Sequence, residues 1–275
     1  MTKADKYFID TLSELMKKEN STQGENVRPK YKDGVEAHTY FITNKVFEYD
    51  LSRGEVPLIS LRQQAWKSAI KEIFWIYQDQ TSDLSVLKEK YNIHWWDDWN
   101  VGDGTIGQRY GATIKKYDLV NKLLNDLKNN KNSRRMIMNM YQYEDFKETE
   151  GLFPCAFETL WNVRGEYLDM ILTQRSSDFA TAWSINEMQY ACLQIMVAKA
   201  SGLKPGKFTH IIGNLHIYDR HLEQGEELLK RTPSDKIVKL NFEPKYNDFY
   251  SFHINDFSLE NYEPCEPQLK FELAI

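Results

Sequence analysis

The stretch FETLWNVRGEYLDMILTQRSSD, Phe157 to Asp178, decides the fold. Phe157 to Val163 and Tyr167 to Gln174 read as strands, and the short Arg164-Gly165-Glu166 link between them predicts an antiparallel hairpin. Met136 to Tyr141, just upstream, reads as a further strand. Downstream, Ser184-Ile185-Asn186-Glu187 has the Ser-x-x-Glu form of a capping box, so an apolar helix is expected through Ala200. Phe208 to Gly213 then reads as a strand and Ile217 to Lys230 as a helix. Upstream, Tyr117 to Asn129 predicts a helix with Val120, Leu123, Leu124 and Leu127 inward, closed by an Asn-rich turn. Ser60 to Gln78 is the clearest helix: Trp66, Ala69, Ile70, Ile73, Phe74 and Tyr77 recur at helical spacing, with Glu72 close to that apolar face. Residues 4–18 read as an amphipathic helix, and Ala37 to Tyr49 as one or two strands. The segment opened by His94-Trp95-Trp96-Asp97-Asp98-Trp99 is irregular as far as Gly107-Gln108-Arg109-Tyr110-Gly111. No repeat, low-complexity tract or Pro/Gly-rich linker divides the chain. One α+β domain over residues 1–275 is expected.

Composition narrows the function. A length of 275 residues is at the upper edge for one domain, and 41% hydrophobic content supports a sizeable core. The formal net charge of -5 gives no sign of general nucleic-acid binding, so an anionic ligand must meet a local arginine cluster. Arg134-Arg135 and Arg175 are the candidates. Cys155, Cys192 and Cys265 are odd in number and lack CxxC spacing, which suggests neither a disulfide framework nor a metal site. The N-terminal MTKADKYFIDTLSEL lacks a signal peptide's apolar core, and no run approaches a membrane span. A cytoplasmic setting is the simplest expectation.

Several residues carry chemistry. Cys155 follows Phe153-Pro154; such a cysteine is most often a small core hydrophobe, and reactivity requires a cationic neighbourhood that stabilises the thiolate. Arg175, after an alternating strand and before Ser176, offers two donors for a phosphate. Asn186, near a helix start, can simply bond nearby backbone, but its amide carries the donor and acceptor that suit the O4 and N3–H edge of uracil. Glu72 in an apolar helix is costly unless paired, exposed or kept for proton transfer. The tryptophans at 95, 96 and 99 are more often core than platform, yet an aromatic-rich irregular loop can wall a flat heterocycle. His216 and His221 are five residues apart, off a common helical face, which argues against a metal pair. These residues alone describe an enzyme handling an anionic planar ligand, with a thiol as one candidate reactive group.

Taken in order, Phe153-Pro154-Cys155, Gln174-Arg175-Ser176-Ser177-Asp178, Asn186 on a helix and Gly213-Asn214-Leu215-His216-Ile217-Tyr218 resemble the thymidylate synthase family. Lys71-Glu72-Ile73-Phe74-Trp75, Trp96-Asp97-Asp98-Trp99 and Arg109-Tyr110-Gly111 fall where that family has related segments, and the likeness runs from Arg28 to Ile275. The resemblance implies a single-domain fold with a mixed or antiparallel sheet covered by helices. It also implies reductive methylation of dUMP to dTMP with 5,10-methylenetetrahydrofolate as co-substrate, and no metal. Cys155 would add to C6, Glu72 would manage protons and Tyr110 would orient the chemistry; Arg175, Asp178 and Asn186 complete the implied catalytic set. Arg28, Arg175 and Ser176 would hold the phosphate, joined by Arg134 and Arg135 from the partner in a homodimer. Asn186 would read the uracil edge, His216 and Tyr218 would bond the deoxyribose hydroxyl, and Gln174 belongs to the same dUMP-binding set. Trp95, Trp96, Leu152 and Asp178 would face the folate, with Ala182, Ile185 and Ala274. Leu273-Ala274-Ile275 resembles a tail that closes over ligands and excludes water.

Three departures stand out. The family's common Cys-His is Cys155-Ala156, its Arg-Thr-Gly loop is Arg28-Pro29-Lys30, and its Gly-rich turn is the bulkier Ala180-Thr181-Ala182-Trp183. The rivals are a dUMP hydroxymethylase of the same fold, in which water replaces hydride, and a non-catalytic relative that binds nucleotide or RNA. Asn186, where relatives acting on dCMP carry Asp, disfavours cytosine; net acidity disfavours nucleic acid as the main partner.

Overall fold

The computed structural model describes all 275 residues. In chain order the elements are α1 Lys3–Leu15, β1 Thr39–Asp50, α2 Trp66–Ile73, α3 Leu84–Tyr91, α4 Gly111–Tyr117, α5 Leu119–Asn129, β2 Ile137–Asn139 and α6 Tyr143–Glu148. They continue with β3 Ala156–Arg164, β4 Tyr167–Asp178, α7 Trp183–Ala200, β5 Lys204–Tyr218, α8 Leu222–Lys230, β6 Lys239–Phe242 and β7 Phe257–Glu260. β1 to β5 form a five-stranded sheet in the order β1-β5-β4-β3-β2, and β6 pairs with β7 in a separate ribbon.

β3 and β4 make the expected antiparallel hairpin, with Arg164 opposite Tyr167. β4 and β5 are the parallel pair, and α7 is the crossover that a parallel connection requires. The sheet is therefore mixed. Buried positions alternate along β4 (Leu168, Met170, Leu172, Gln174), as a sheet with one covered face demands. α7 has no polar face along most of its length: Met188, Tyr190, Ala191, Cys192, Leu193, Met196 and Val197 are all buried, so it runs through the core rather than over it. Cys192 is one of its core hydrophobes. No helix is long and apolar enough to cross a membrane.

Several elements differ from their sequence expectations. The segment from Ser60 to Ala65 is not helical, although Ser60, Leu61, Arg62 and Gln64 are buried. Asp5 is fully buried and its carboxylate accepts from the Ser60 N–H at 2.6 Å and the Ser60 hydroxyl at 3.1 Å, holding that backbone against α1. α2 starts only at Trp66 and ends in a π turn, Phe74–Gln78. The helix expected from Tyr117 begins at Leu119, because Asp118 adopts φ 52 and separates it from α4. Ile217 and Tyr218 end β5 instead of starting a helix; α8 begins at Leu222 after a 3-10 turn. Arg175 and Ser176 lie inside β4, which runs on to Asp178, not at its end.

The capping box is absent. Ala182 is the N-cap of α7 and makes no side-chain cap bond. Ser184 donates to Gln64 Oε1 at 2.6 Å, and Glu187 accepts from the Tyr49 hydroxyl at 2.6 Å. Both side chains are buried, so tertiary partners outcompete the local cap.

The register positions the site. Ser176 lies opposite Asn214 and Asp178 opposite His216 across the parallel pair, and Tyr218 lies opposite Thr39. Gly213 permits this closeness, since a Cβ there would sit 3.0 Å from the Arg175 carbonyl oxygen.

Candidate active site

The Cys155 loop is fastened to β4 from both sides. The Arg175 N–H donates to the Cys155 carbonyl at 2.9 Å. The Arg175 guanidinium donates to the Pro154 carbonyl at 3.0 Å, to the Phe153 carbonyl at 2.7 Å and to Cys155 Sγ at 3.4 Å. Burial pushes the Cys155 thiol up, while the charges of Arg175 and then Arg28 pull it back toward thiolate. The cationic neighbourhood that a reactive thiol needs is thus present. The Cys155 N–H donates to the Tyr110 hydroxyl at 3.0 Å. Tyr110 holds φ 46 and ψ -110, an unusual conformation for a bulky residue. Its neighbour must be glycine: a Cβ on Gly111 would lie 2.3 Å from the Thr81 carbonyl oxygen.

One cleft opens beside this thiol. Arg28, Ser176, Asp178, Asn214, His216 and Tyr218 line the wall made by β4, β5 and the loop before β1. Arg28 makes no ion pair or side-chain hydrogen bond within the chain, so its charge is available to a ligand. His216 Nδ1 is 3.0 Å from Asn214 Oδ1, and burial lowers the affinity of His216 for a proton, which keeps it neutral near pH 7. Asp178 faces the cleft too, but its carboxylate already accepts from the Ala180 N–H at 2.9 Å and the Thr181 hydroxyl at 2.5 Å.

At the inner end Asn186 meets two other amides. Gln174 Nε2 donates to Asn186 Oδ1 at 3.0 Å, and Asn186 Nδ2 donates to Gln189 Oε1 at 2.9 Å. Glu72 is buried close by and accepts from Trp95 Nε1. Burial raises its pKa to about 7 against the opposing hydrogen bond from Trp95. A carboxyl poised there can both give and take a proton near neutrality.

The cleft continues into an apolar half walled by Trp95, Trp96, Trp99, Leu152, Ile185 and Leu273, with Ala182 and Asn186 shared between the halves. Trp96 Nε1 and Gln189 Nε2 are buried with no hydrogen-bond partner. A flat heterocycle with polar edges would stack on this wall and satisfy such donors, so the residues present fit a pterin-like ring. The C-terminal residues close one side. Lys30 and Ile275 exchange backbone hydrogen bonds at 2.8 and 3.0 Å, and Ala274 and Ile275 line the cleft with Arg28.

The departures can now be located. Arg28 lines the cleft despite Pro29 and Lys30. Ala156 is nearly buried opposite Gln174 and supplies no polar atom beside the thiol. The bulk of the 180–183 turn does not face the apolar half. Trp183 is fully buried, with ring centroids 4.9 Å from Phe47 and 5.0 Å from Phe179.

Every site residue named from sequence lines the cleft except Arg134 and Arg135. Both are exposed just before the edge strand β2, with no ion pair in the chain. Gln189 and Arg62 also line the cleft and were not named from sequence, while Asn214 and Thr181 were named only within their motifs and given no role. Gln189 had a usable signal, since it lies three residues after Asn186 and so on the same helical face.

The thymidylate synthase family model matches residues 6–275. Over 281 aligned residues and the whole of both chains, the sequence is 52% identical to thymidylate synthase from Lactococcus lactis subsp. lactis (strain IL1403). It is likewise 52% identical to thymidylate synthase from Streptococcus gordonii, again over all of both chains. The solved structure of thermostable thymidylate synthase A from Bacillus subtilis superposes with a TM-score of 0.93 at 34% identity, covering 100% of each chain. The chain belongs to the thymidylate synthase family.

Proposed function

We propose that Cys155 is the nucleophile of a reductive methylation of dUMP, and that the cleft divides into a nucleotide half and a folate half. The overall conversion takes one dUMP and one 5,10-methylenetetrahydrofolate to one dTMP and one dihydrofolate. The folate supplies the one-carbon unit and the hydride. Cys155 Sγ adds to C6 of the pyrimidine, which places electron density on C5 for bond formation to that carbon. Loss of the C5 proton expels the folate nitrogen from the new carbon substituent, hydride from that folate reduces the resulting exocyclic methylene to methyl, and expulsion of the thiolate from C6 restores the ring double bond. Glu72, near half-protonated at neutral pH, moves protons at the pyrimidine. Asn186 meets O4 and N3–H, and His216 and Tyr218 meet the deoxyribose hydroxyl. Asp178 holds the 180–181 turn at the junction of the two halves.

Arg28, Arg175 and Ser176 hold the phosphate, and Arg175 also stabilises the thiolate. Arg134 and Arg135 complete the phosphate site of a second copy in a homodimer. That assembly is supported by the uncovered sheet face. Val46 and Ile137 are 49% and 43% exposed on opposite edge strands, and Val46 pairs with Ile211. Apolar residues across a bare sheet face call for a partner surface.

The observation that carries this reading is the Arg175 guanidinium 3.4 Å from Cys155 Sγ, in the cleft that also holds Asn186. The hydroxymethylase alternative drew on bulk at 180–183, and Trp183 directs that bulk into the core. The test is Cys155→Ala: turnover should vanish while dUMP affinity, measured by calorimetry, stays within a few-fold. Residual turnover above contamination would mean that another group is the nucleophile.

A further inference from the structure

A buried line of side chains runs from the base-reading end of the cleft into the core, and its direction can be deduced. Gln174 Nε2 donates to the Ser176 backbone carbonyl at 2.9 Å as well as to Asn186 Oδ1. A carbonyl oxygen can only accept, so this end of the Gln174 amide is the NH2 group. Its Oε1 therefore faces His210 Nε2, 2.9 Å away. Two acceptors cannot share that contact, so His210 carries its proton on Nε2. Both groups are fully buried, which favours a neutral pair over an ionised one; in the neutral imidazole Nδ1 is then a bare acceptor, 3.4 Å from Glu187 Oε1. The carboxyl must present a proton there, while its other oxygen accepts from the Tyr49 hydroxyl at 2.6 Å. Tyr49, Glu187 and His210 are at most 1% exposed, so no water competes for these bonds. Burial independently favours the same states, raising the Glu187 carboxyl well above its ordinary range and lowering His210 to about 3.

The far end of this line is Asn186. With Oδ1 turned to Gln174 and Nδ2 to Gln189, its amide keeps one lone pair and one N–H for a ligand. That pair matches N3–H and O4 of uracil. Cytosine presents the opposite pattern, an acceptor at N3 and an amino donor at C4, and would match the amide only if it were flipped. We propose that His210, held in its Nε2–H form by neutral Glu187 and Tyr49, is a positioning residue that fixes the polarity of Gln174 and Asn186 and thereby favours uracil over cytosine. This rests on the assignment of Asn186 as the base reader.

The test compares the dissociation constants of dUMP and dCMP for three proteins. His210→Phe keeps a ring but removes the donor, leaving Gln174 Oε1 buried and unpaired and the Ser176 carbonyl as the remaining restraint on an amide flip. The preference for dUMP should fall by about tenfold, whereas general destabilisation would weaken both ligands alike. Glu187→Gln can still donate to His210 Nδ1 and accept from Tyr49, so its preference should stay within about twofold of the parent. An unchanged preference in His210→Phe overturns the proposal, as does a Glu187→Gln that falls equally far. Nitrogen NMR of His210 in the unaltered protein is a second test that needs no variant to fold. A proton on Nε2 supports the relay, and a proton on Nδ1 overturns it. Failure of the parent protein to bind dUMP would sink the functional reading instead, and the tautomer would still decide the relay.

Discussion

Replacing Glu72 by Gln should make the protein more stable and much less active. Glu72 is buried in α2, and its carboxyl sits at about 7 instead of its ordinary 4.5, because burial disfavours the charged form more than the Trp95 donor favours it. The native state therefore holds a proton that the unfolded chain releases between those two values. Stability from this group is complete below pH 4.5, falls as pH rises, and is fully lost once pH has passed about 7. The shift corresponds to roughly 3 kcal/mol. Gln resembles the protonated acid, can still accept from Trp95 Nε1, and does not ionise. Urea unfolding at fixed protein concentration should find Glu72→Gln and the parent nearly equal at pH 5. At pH 8.5 the variant should be more stable by about 2–3 kcal/mol. Its turnover should drop by about a hundredfold or more, since the proton-transfer group is gone. A stability difference that does not grow with pH, or a less stable variant at pH 8.5, would refute the reasoning about burial.

Other consequences follow from the same geometry. Arg175 is the larger of the two charges that draw Cys155 toward thiolate, so Arg175→Gln should move the pH midpoint of iodoacetamide labelling upward; a midpoint that stays or falls would deny the guanidinium this role. Arg134 and Arg135 are exposed and do not line their own cleft, so an Arg134→Ala/Arg135→Ala chain and a Cys155→Ala chain should each be inactive alone. Unfolded together and refolded at equal amounts, they should recover about a quarter of parental activity, because half the dimers are mixed and each has one complete site. No recovery would place the arginine pair outside the shared site.

The hairpin from Phe157 to Asp178 was legible because two β-rich runs joined by a short Gly-containing link pair antiparallel; the link is Gly165-Glu166, since Arg164 already pairs with Tyr167. Its neighbours were less so. Periodicity marked Trp66 to Tyr77, but no helix-breaking residue in Ser60–Ala65 marked the start, and there Asp5 holds Ser60 in a non-helical path. Asp118 broke a helix by adopting positive φ, a choice that the sequence pattern does not announce. Ser184 and Glu187 carried a correct local signal that tertiary contacts overrode, because both face the core.

The site divides in the same way. Cys155, Arg175 and Asn186 were identifiable by residue type and order, yet only the fold brings the guanidinium against the sulfur. The carboxyl of Glu72 was noticed as out of place on an apolar face, and its burial supplies the physical reason for its raised pKa. His210 was not singled out, and Glu187 was read only as half of a capping box. A histidine within a strand and a glutamate within a helix are ordinary in sequence; it is the parallel pairing of β4 with β5, under α7, that lines them up behind Gln174.

The most direct measurement is a turnover reaction with dUMP and 5,10-methylenetetrahydrofolate, with both products identified by mass. dTMP and dihydrofolate in equal amounts are expected. Hydroxymethyl-dUMP with tetrahydrofolate would contradict hydride transfer while leaving the nucleophile in place, and the absence of any product would contradict the assignment of this cleft as a working active site.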